Sequence, residues 1–325
     1  MKRKKILITG ITGFVGSHMA DYILENHENI DLYGTIRWHL SKTNNIEKII
    51  NKIKLYDCNL VDSFSTLNLI EKIKPDIIFH FAAESFVSPS WNNPLQYMNV
   101  NYNGTVNLLE AIKKYTPDCY FQIPGSGEEY GEIYQNEIPI KPETVLRPVN
   151  PYAVTKISQD LIGYVYYKSY GLNVIRTRAF NHEGPRREKV FGIPWYAYQI
   201  SQIEKGLQEP LIKVGEIDDK RNFTHVKDIV KAYWLSIEKC KPGDLYLVGS
   251  EEEDSIFTFR QALETLISMS TVNNIKYKID QQYVRPTNVP LLIADTSKFK
   301  EATGWTPKIS FNQILKNTLD YWRNK

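Results

Sequence analysis

Over the first half of the chain, short apolar runs alternate with segments whose apolar residues recur at helical spacing. Lys5-Ile6-Leu7-Ile8-Thr9 predicts a buried strand, and Met19, Ile23 and Leu24 predict a helix over 17–26. Further strands are predicted at 31–36, 54–57, 77–82, 119–123 and 173–178. Long helices are predicted at 99–114, through Val106, Leu109 and Ile112, and at 152–170. Such alternation links parallel strands through right-handed crossovers and buries the sheet between two layers of helix. After Phe180 the pattern changes. Residues 181–192 are polar and turn-rich, followed by helices at 195–206, 228–237, 258–268 and 311–322 and short strands at 211–214 and 244–248. The expected division is 1–180 and 181–325, with the chain rejoining the first part over about 222–248. The Asn- and Lys-rich stretch 41–54 reads as a surface helix and loop.

Thr9-Gly10-Ile11-Thr12-Gly13-Phe14-Val15-Gly16 joins the first strand to the first helix. Gly10 permits a tight turn, Gly13 lets the backbone approach a pyrophosphate at the helix N-terminus, and Gly16 allows helix to pack on strand. With the strand before it and the helix after it, this loop predicts a dinucleotide site. The expected fold class is α/β: a doubly wound parallel-sheet Rossmann domain with a smaller mixed α/β C-terminal cap. The second strand ends Tyr33-Gly34-Thr35-Ile36-Arg37 without the acidic residue that binds the ribose hydroxyls of NAD. Arg37 can instead pair with a 2′-phosphate, which favours NADP over NAD. Asn59 and Leu60 after the third strand, and Ala82 and Ala83 after the fourth, are expected to line the adenine and central phosphates.

Composition narrows the field only a little. The chain has 325 residues, 42% hydrophobic and 24% charged, and a net charge of +3. That charge gives no argument for a nucleic acid or membrane partner. No apolar run reaches the roughly 18–20 residues of a membrane span, no signal peptide is visible, and the basic start Met1-Lys2-Arg3-Lys4-Lys5 runs directly into the first strand. The 3 cysteines, Cys58, Cys119 and Cys240, are scattered, with neither metal-ligand spacing nor a disulfide framework. A cytoplasmic protein is expected.

The chemistry is concentrated in two segments. Ser126-Gly127-Glu128 follows the fifth strand, and Tyr152 and Lys156 lie four apart in Asn150-Pro151-Tyr152-Ala153-Val154-Thr155-Lys156, on one helical face. A phenol beside a fixed ammonium can ionise near neutral pH and take the proton of an alcohol while a hydride leaves the same carbon. Lys156 is expected to lower the phenol and bind the nicotinamide ribose, and Ser126 to hydrogen-bond the alcohol oxygen. Alcohol oxidation alone has no need of Glu128, whose carboxylate suggests a second proton transfer at the neighbouring carbon.

Gly10, Gly13 and Gly16 with Ser126, Tyr152 and Lys156 resemble the extended short-chain dehydrogenase/reductases over nearly the whole chain. Ile8–Gly13, Phe180-Asn181-His182-Glu183-Gly184-Pro185-Arg186-Arg187, Lys220–Asp228 and Arg285-Pro286-Thr287 are similar to the GDP-mannose 4,6-dehydratase group. The sister group, the GDP-4-keto-6-deoxymannose reductases, is similar over Glu209–Gly215, at Trp305 and in Glu128-Glu129-Tyr130-Gly131. The chain departs from the dehydratase pattern at Ser126 (usually Thr), Gly127 (Ser), Asn59 (Asp) and Asn288 (Glu).

The resemblance implies a GDP-sugar substrate, GDP-mannose or a GDP-manno-heptose. It also implies internal hydride transfer from C4 to C6, with Glu128 as base at C5. Substrate contacts are then expected from Ser85, Ser126, Glu128, Asn181, Arg187, Val214, Arg221 and Arg285, the arginines serving the diphosphate. Arg186 and Arg187 are open to subunit contacts as well. His182 is expected to be structural, Asp228 to cap a helix or pair with Arg221, and Tyr97 and Tyr102 to pack at an interface. A homodimer or homotetramer is implied, joined through the helices at 99–114 and 152–170. The alternatives are a reductase of the 4-keto-6-deoxy product, in which Glu128 is idle, and a non-catalytic NADP-binding sensor or scaffold.

Overall fold

A computed structural model describes residues 3–251, 255–287 and 289–325. The cofactor-type half contains β1 (Lys4–Thr9), α1 (Phe14–Asn26), β2 (Ile30–Ile36), β3 (Lys54–Asp57), α2 (Ser63–Ile73), β4 (Ile77–His80), α3 (Pro94–Met98), α4 (Gly104–Tyr115), β5 (Tyr120–Ser126), α5 (Pro151–Tyr170) and β6 (Asn173–Ala179). There follow β7 (His182–Glu183), α6 (Gly192–Glu204), β8 (Leu211–Val214), β9 (Lys220–Asn222), β10 (Thr224–His225), α7 (Val226–Lys239) and β11 (Leu245–Val248). The chain ends with β12 (Ile256–Thr258), α8 (Phe259–Ser268), β13 (Lys276–Ile279), β14 (Leu291–Leu292), α9 (Ser297–Thr303) and α10 (Phe311–Arg323).

Seven strands form one parallel sheet in the order β11-β6-β5-β4-β1-β2-β3. The strands are buried on both faces because their alternate residues are apolar on both. In β1, Ile6 and Ile8 pack with α1 and α7 residues such as Ile23 and Val230, while Leu7 faces the opposite core with Leu69 and Leu109. In β4, Ile77 and Phe79 join the first core and Ile78 the second. The strand order reverses between β1 and β4, so a crevice opens there at the carboxyl ends of the strands, where ligands bind in folds of this kind. The second layer system is a cap in which α6, α8 and α10 enclose a third core through Ile200, Leu263 and Leu315. Two short strand pairings, β8 with β13 and β9 with β12 and β14, edge this cap.

Several elements differ from the sequence pattern. α2 lies where no helix was expected; Asp62 caps it, accepting from Phe64 N–H and Ser65 N–H at 2.9 and 3.1 Å. The helix expected over 99–114 begins earlier, at α3, and passes through a π turn at Asn99–Asn103 before α4. Within that turn the Asn101 side chain is diverted inward, bonding both backbone groups of Glu84 and the Thr155 hydroxyl. Tyr97 was expected at an interface, but it is buried inside the chain beside Tyr152 and Val87, with its hydroxyl donating to the Phe86 carbonyl. Asp228 neither caps α7 nor pairs with Arg221. Its carboxylate accepts Lys308 N–H and Ile309 N–H at 3.0 Å each, fastening the segment before α10 to α7.

Candidate active site

Gly10 has φ +66°, and a Cβ there would lie 2.8 Å from the amide nitrogen of Ala82. A Cβ on Gly16 would collide with the Gly10 carbonyl, so β1, the loop and α1 meet backbone to backbone. α1 starts at Phe14 with Gly13 as N-cap, no capping side chain and no acid in its first turn. Its amides therefore remain available to an anion. Gly13, Phe14, Val15 and Gly16 line a cavity of about 390 Å³. An adjoining cavity of about 180 Å³ is lined by Thr12, Arg37, Asn59, Leu60, Ala82 and Ala83, together with Ser41. The Ser41 hydroxyl accepts the Arg37 N–H at 2.9 Å, holding the loop that presents the exposed guanidinium. These residues fit a dinucleotide with its pyrophosphate on the glycine loop.

Ser126, Glu128, Tyr152 and Lys156 all line the 390 Å³ cavity, with Ser85 at its exposed margin. Ser126 ends β5 and caps a single 3₁₀ turn, Gly127–Glu129, accepting Glu128 N–H at 3.2 Å. Glu129 closes the turn from below. Its carboxylate accepts Ser126 N–H at 2.7 Å and pairs with Arg178 at 2.7 Å, and Arg178 pairs in turn with Asp160 of α5. Burial pushes the Glu129 carboxyl up and the Arg178 guanidinium opposes it.

Burial also raises the Tyr152 phenol, against the lowering effect of the Ser126 hydrogen bond. Lys156 had been expected to lower it, yet burial lowers the ammonium itself, offset in part by the carboxylates of Glu129 and Asp160. Desolvation by burial disfavours the charged form of both groups. Lys156 is held by Gln159, whose amide donates to Thr105 Oγ1 at 2.7 Å. Thr105 also meets His80 Nε2 at 2.9 Å, and His80 Nδ1 meets the Thr9 hydroxyl at 2.8 Å. Thr105 Oγ–H donates to the Asn101 carbonyl at 2.6 Å, so Thr105 accepts from His80 Nε2–H, and the neutral Nε2–H tautomer leaves Nδ1 to accept from Thr9, whose Oγ1 also accepts Ala82 N–H. Burial pushes that imidazole down to about 3. One closed set of hydrogen bonds thus ties the cofactor-side backbone at Ala82 to the Lys156 ammonium.

Glu128, Asn181, Phe191 and Arg285 line both this cavity and a third of about 500 Å³, which also receives Arg221 and reaches under the cap to Trp195 and Tyr283. Arg221 is buried, which lowers its guanidinium, while the carboxylates of Glu128 and Asp219 support the charge. Arg187 lies at the cavity wall, bonded to Glu183 at 2.7 Å and 4.2 Å above the Phe191 ring. Arg186 pairs with Asp21 of α1 at 2.6 Å. His182 stacks on Phe14, with Nδ1 on the Phe180 carbonyl. Val214, expected to contact substrate, is fully buried in the cap core; strand alternation turns it inward, and the next residue, Gly215, lines the 500 Å³ cavity. The Asn288 position lies outside the described residues.

A sequence model of the family described as GDP-mannose 4,6 dehydratase matches residues 7–318. The chain belongs to the GDP-mannose 4,6-dehydratase family. Within it, GDP-mannose 4,6 dehydratase 1 of Arabidopsis thaliana is 32% identical, over 98% of this chain and 89% of that protein. GDP-6-deoxy-D-mannose reductase of Pseudomonas aeruginosa is 29% identical, over 99% of this chain and 98% of that one. Among solved structures, RMD from Pseudomonas aeruginosa complexed with NADPH superposes with a TM-score of 0.84 at 27% identity, covering 99% of both chains. Residues of this GDP-mannose 4,6-dehydratase family member that sequence reasoning passed over are Ser41, Glu129, Asn150, Gln159 and Phe191. Asn150 alone carried a readable signal, as a helix cap directly before Pro151.

Proposed function

We propose that the protein is an NADP-dependent GDP-sugar 4,6-dehydratase, converting GDP-mannose or a GDP-manno-heptose into a 4-keto-6-deoxy sugar nucleotide. The observation that carries this reading is the Glu128 carboxylate on the same cavity as Tyr152, at its junction with the arginine-lined chamber. NADP⁺ held at the glycine loop would supply the hydride acceptor for the sugar's C4 and, once reduced, the hydride donor for C6, with a proton returning to C5. Tyr152 Oη would accept the C4 hydroxyl proton with Ser126 donating to the same oxygen, and Lys156 would hold the ribose and favour the phenolate. The new ketone acidifies C5–H, which Glu128 would remove. The same carboxyl would then protonate the departing C6 hydroxyl, and water leaves. Assistance of this kind is worth about 10²–10⁴-fold per transfer. Arg221, Arg285 and Arg187 would meet the diphosphate, with Asn181 beside them. Residues 1–180 with 222–248 would hold the cofactor and the rest the sugar nucleotide, a division supported by β11 joining the main sheet.

The same reading has the chain working as a homodimer or homotetramer joined through α4 and α5, in the cytoplasm, where its unpaired cysteines would stay reduced. The reductase reading keeps one argument of its own: the chain and the Pseudomonas reductase match over nearly their whole lengths. Incubation with GDP-mannose, without added reductant, separates the two. The dehydratase yields a product lighter by one water with no net cofactor consumption, whereas a reductase leaves GDP-mannose intact and oxidises NADPH only with a 4-keto sugar. Glu128→Gln is expected to stop water loss while still permitting cofactor reduction by substrate; full dehydration by that variant would remove Glu128 from the chemistry.

A further inference from the structure

Glu128 and Tyr152, the groups assigned to adjacent sugar carbons, stand on different segments: the turn after β5 and the first turn of α5. One side chain touches both. Asn150, only 6% exposed, caps α5, its Oδ1 accepting Ala153 N–H at 2.8 Å, and its Nδ2 donates to Glu128 Oε2 at 3.0 Å. The partners fix the amide's orientation, since a flipped amide would set oxygen against carboxylate and NH₂ against N–H. Asp or Ser would cap the helix about as well. Neither offers an amide donor: an aspartate would set a second carboxylate against Glu128, and a capping serine ends one heavy atom short of the position from which Nδ2 reaches Glu128.

We propose that Asn150 is a positioning residue for the elimination step, directing the substrate proton to Oε1 of Glu128 and fixing that oxygen relative to Tyr152. The proposal rests on the dehydratase reading above. The hydroxyl oxygen of a carboxylic acid is a poorer acceptor than its carbonyl oxygen, so the Asn150 amide on Oε2 favours the acid form of Glu128 that carries its O–H on Oε1. In the step itself the C5–H bond breaks and its proton moves to Oε1. Its electron pair becomes the C5=C6 double bond as C6–O breaks, and the oxygen leaves as water with the Oε1 proton. One oxygen takes and gives that proton, with no rotation of the carboxyl group between. A base misplaced by about 1 Å can lose roughly 10²-fold in rate, which gives the scale of what the contact protects.

The test uses the full chain with NADP⁺ and GDP-mannose, comparing Asn150→Ser and Asn150→Asp with wild type. Both variants keep a capping oxygen; aspartate removes the donor, and serine draws it back by one heavy atom from Glu128. Melting temperature and KM for GDP-mannose are expected near wild type, and kcat for water loss is expected to fall roughly 10²-fold. Oxidation at C4 needs only Ser126, Tyr152 and Lys156, so reduced nicotinamide should build up, visible in its near-ultraviolet absorbance. Wild-type rates in both variants overturn the proposal. So does an equal loss of C4 oxidation and water loss, or a collapse of melting temperature, either of which makes Asn150 a cap and nothing more. A wild-type protein that leaves GDP-mannose intact overturns the dehydratase reading itself, whatever the variants do.

Discussion

NADP and NAD differ by one phosphate, and the proposed function assigns that phosphate to Arg37. It is exposed just after β2 on the 180 Å³ cavity, and β2 itself ends without an acidic residue to favour free ribose hydroxyls. A hydrogen bond to a charged group contributes about 1.5–3 kcal/mol. Arg37→Ala is therefore expected to weaken NADPH binding roughly 10- to 100-fold while leaving NADH unchanged, read by titrating nicotinamide fluorescence; equal affinity for NADPH in variant and wild type would sink the assignment. That Arg37, Gly10, Tyr152 and Lys156 line the two adjoining cavities was legible in the sequence, because each position depends on spacing within a few residues of one strand or helix. Val214 was not, because one step of strand alternation decides between cavity and core. Glu129 was missed for a similar reason: its partner Arg178 is distant in sequence and adjacent only once β5 and β6 pair.

At the scale of elements, the seven strands of the main sheet were placed within a few residues because their apolar runs are short and bounded, whereas the short strands β7, β9, β10, β12, β13 and β14 went unpredicted. α2 escaped because its exposed Phe64 and three polar residues in the first turn and a half blur the periodicity, although the Asp62 cap announced it. Contacts that join cap elements were invisible, and the one at Glu204 is strong. At the end of α6, its carboxylate takes two bonds from Arg323 of α10, at 2.8 and 2.7 Å, and accepts Ser270 Oγ–H and Thr271 N–H after α8, at 3.0 Å each. The Arg323 guanidinium, first among these partners, pulls the carboxyl down to about 2 from 4.5. Its folded pKa is depressed, so the stabilisation is complete above the unfolded value of 4.5 and is lost as pH falls toward 2. The contribution is about 2–3 kcal/mol at neutral pH. Glu204→Gln is expected to melt several degrees below wild type at neutral pH, with the gap closing as melting is followed down toward about pH 2–3. A gap that persists unchanged into acid would mean the ion pair is not its source.

For the whole molecule, α5 is apolar on two opposite faces, and the sheet covers only one of them. One face is buried and carries Tyr152, Lys156, Gln159 and Gly163 against the sheet and α4. On the other, Val154, Leu161 and Val165 are 43%, 49% and 45% exposed and recur at spacings of seven and four, forming one apolar stripe, with Tyr164 at 41% beside it. A row of aliphatic side chains open to water along a rigid helix is the mark of an association surface. A stripe on one helix pairs most simply with its own copy across a two-fold axis. The sequence hid this from periodicity alone, because α5 is apolar on both faces and only the sheet tells which one is covered. Leu161→Glu would place two carboxylates near such an axis with no cation supplied to meet them. Light scattering of wild type at micromolar concentration is expected to give twice the 37.8 kDa chain mass or a higher multiple, and of the variant a mass close to one chain. Because Tyr152 and Lys156 sit on the far face of the same helix, the monomeric variant should also lose turnover while still binding NADPH. A wild-type protein that runs as a monomer, or a variant that associates as wild type does, would remove α5 as the subunit contact.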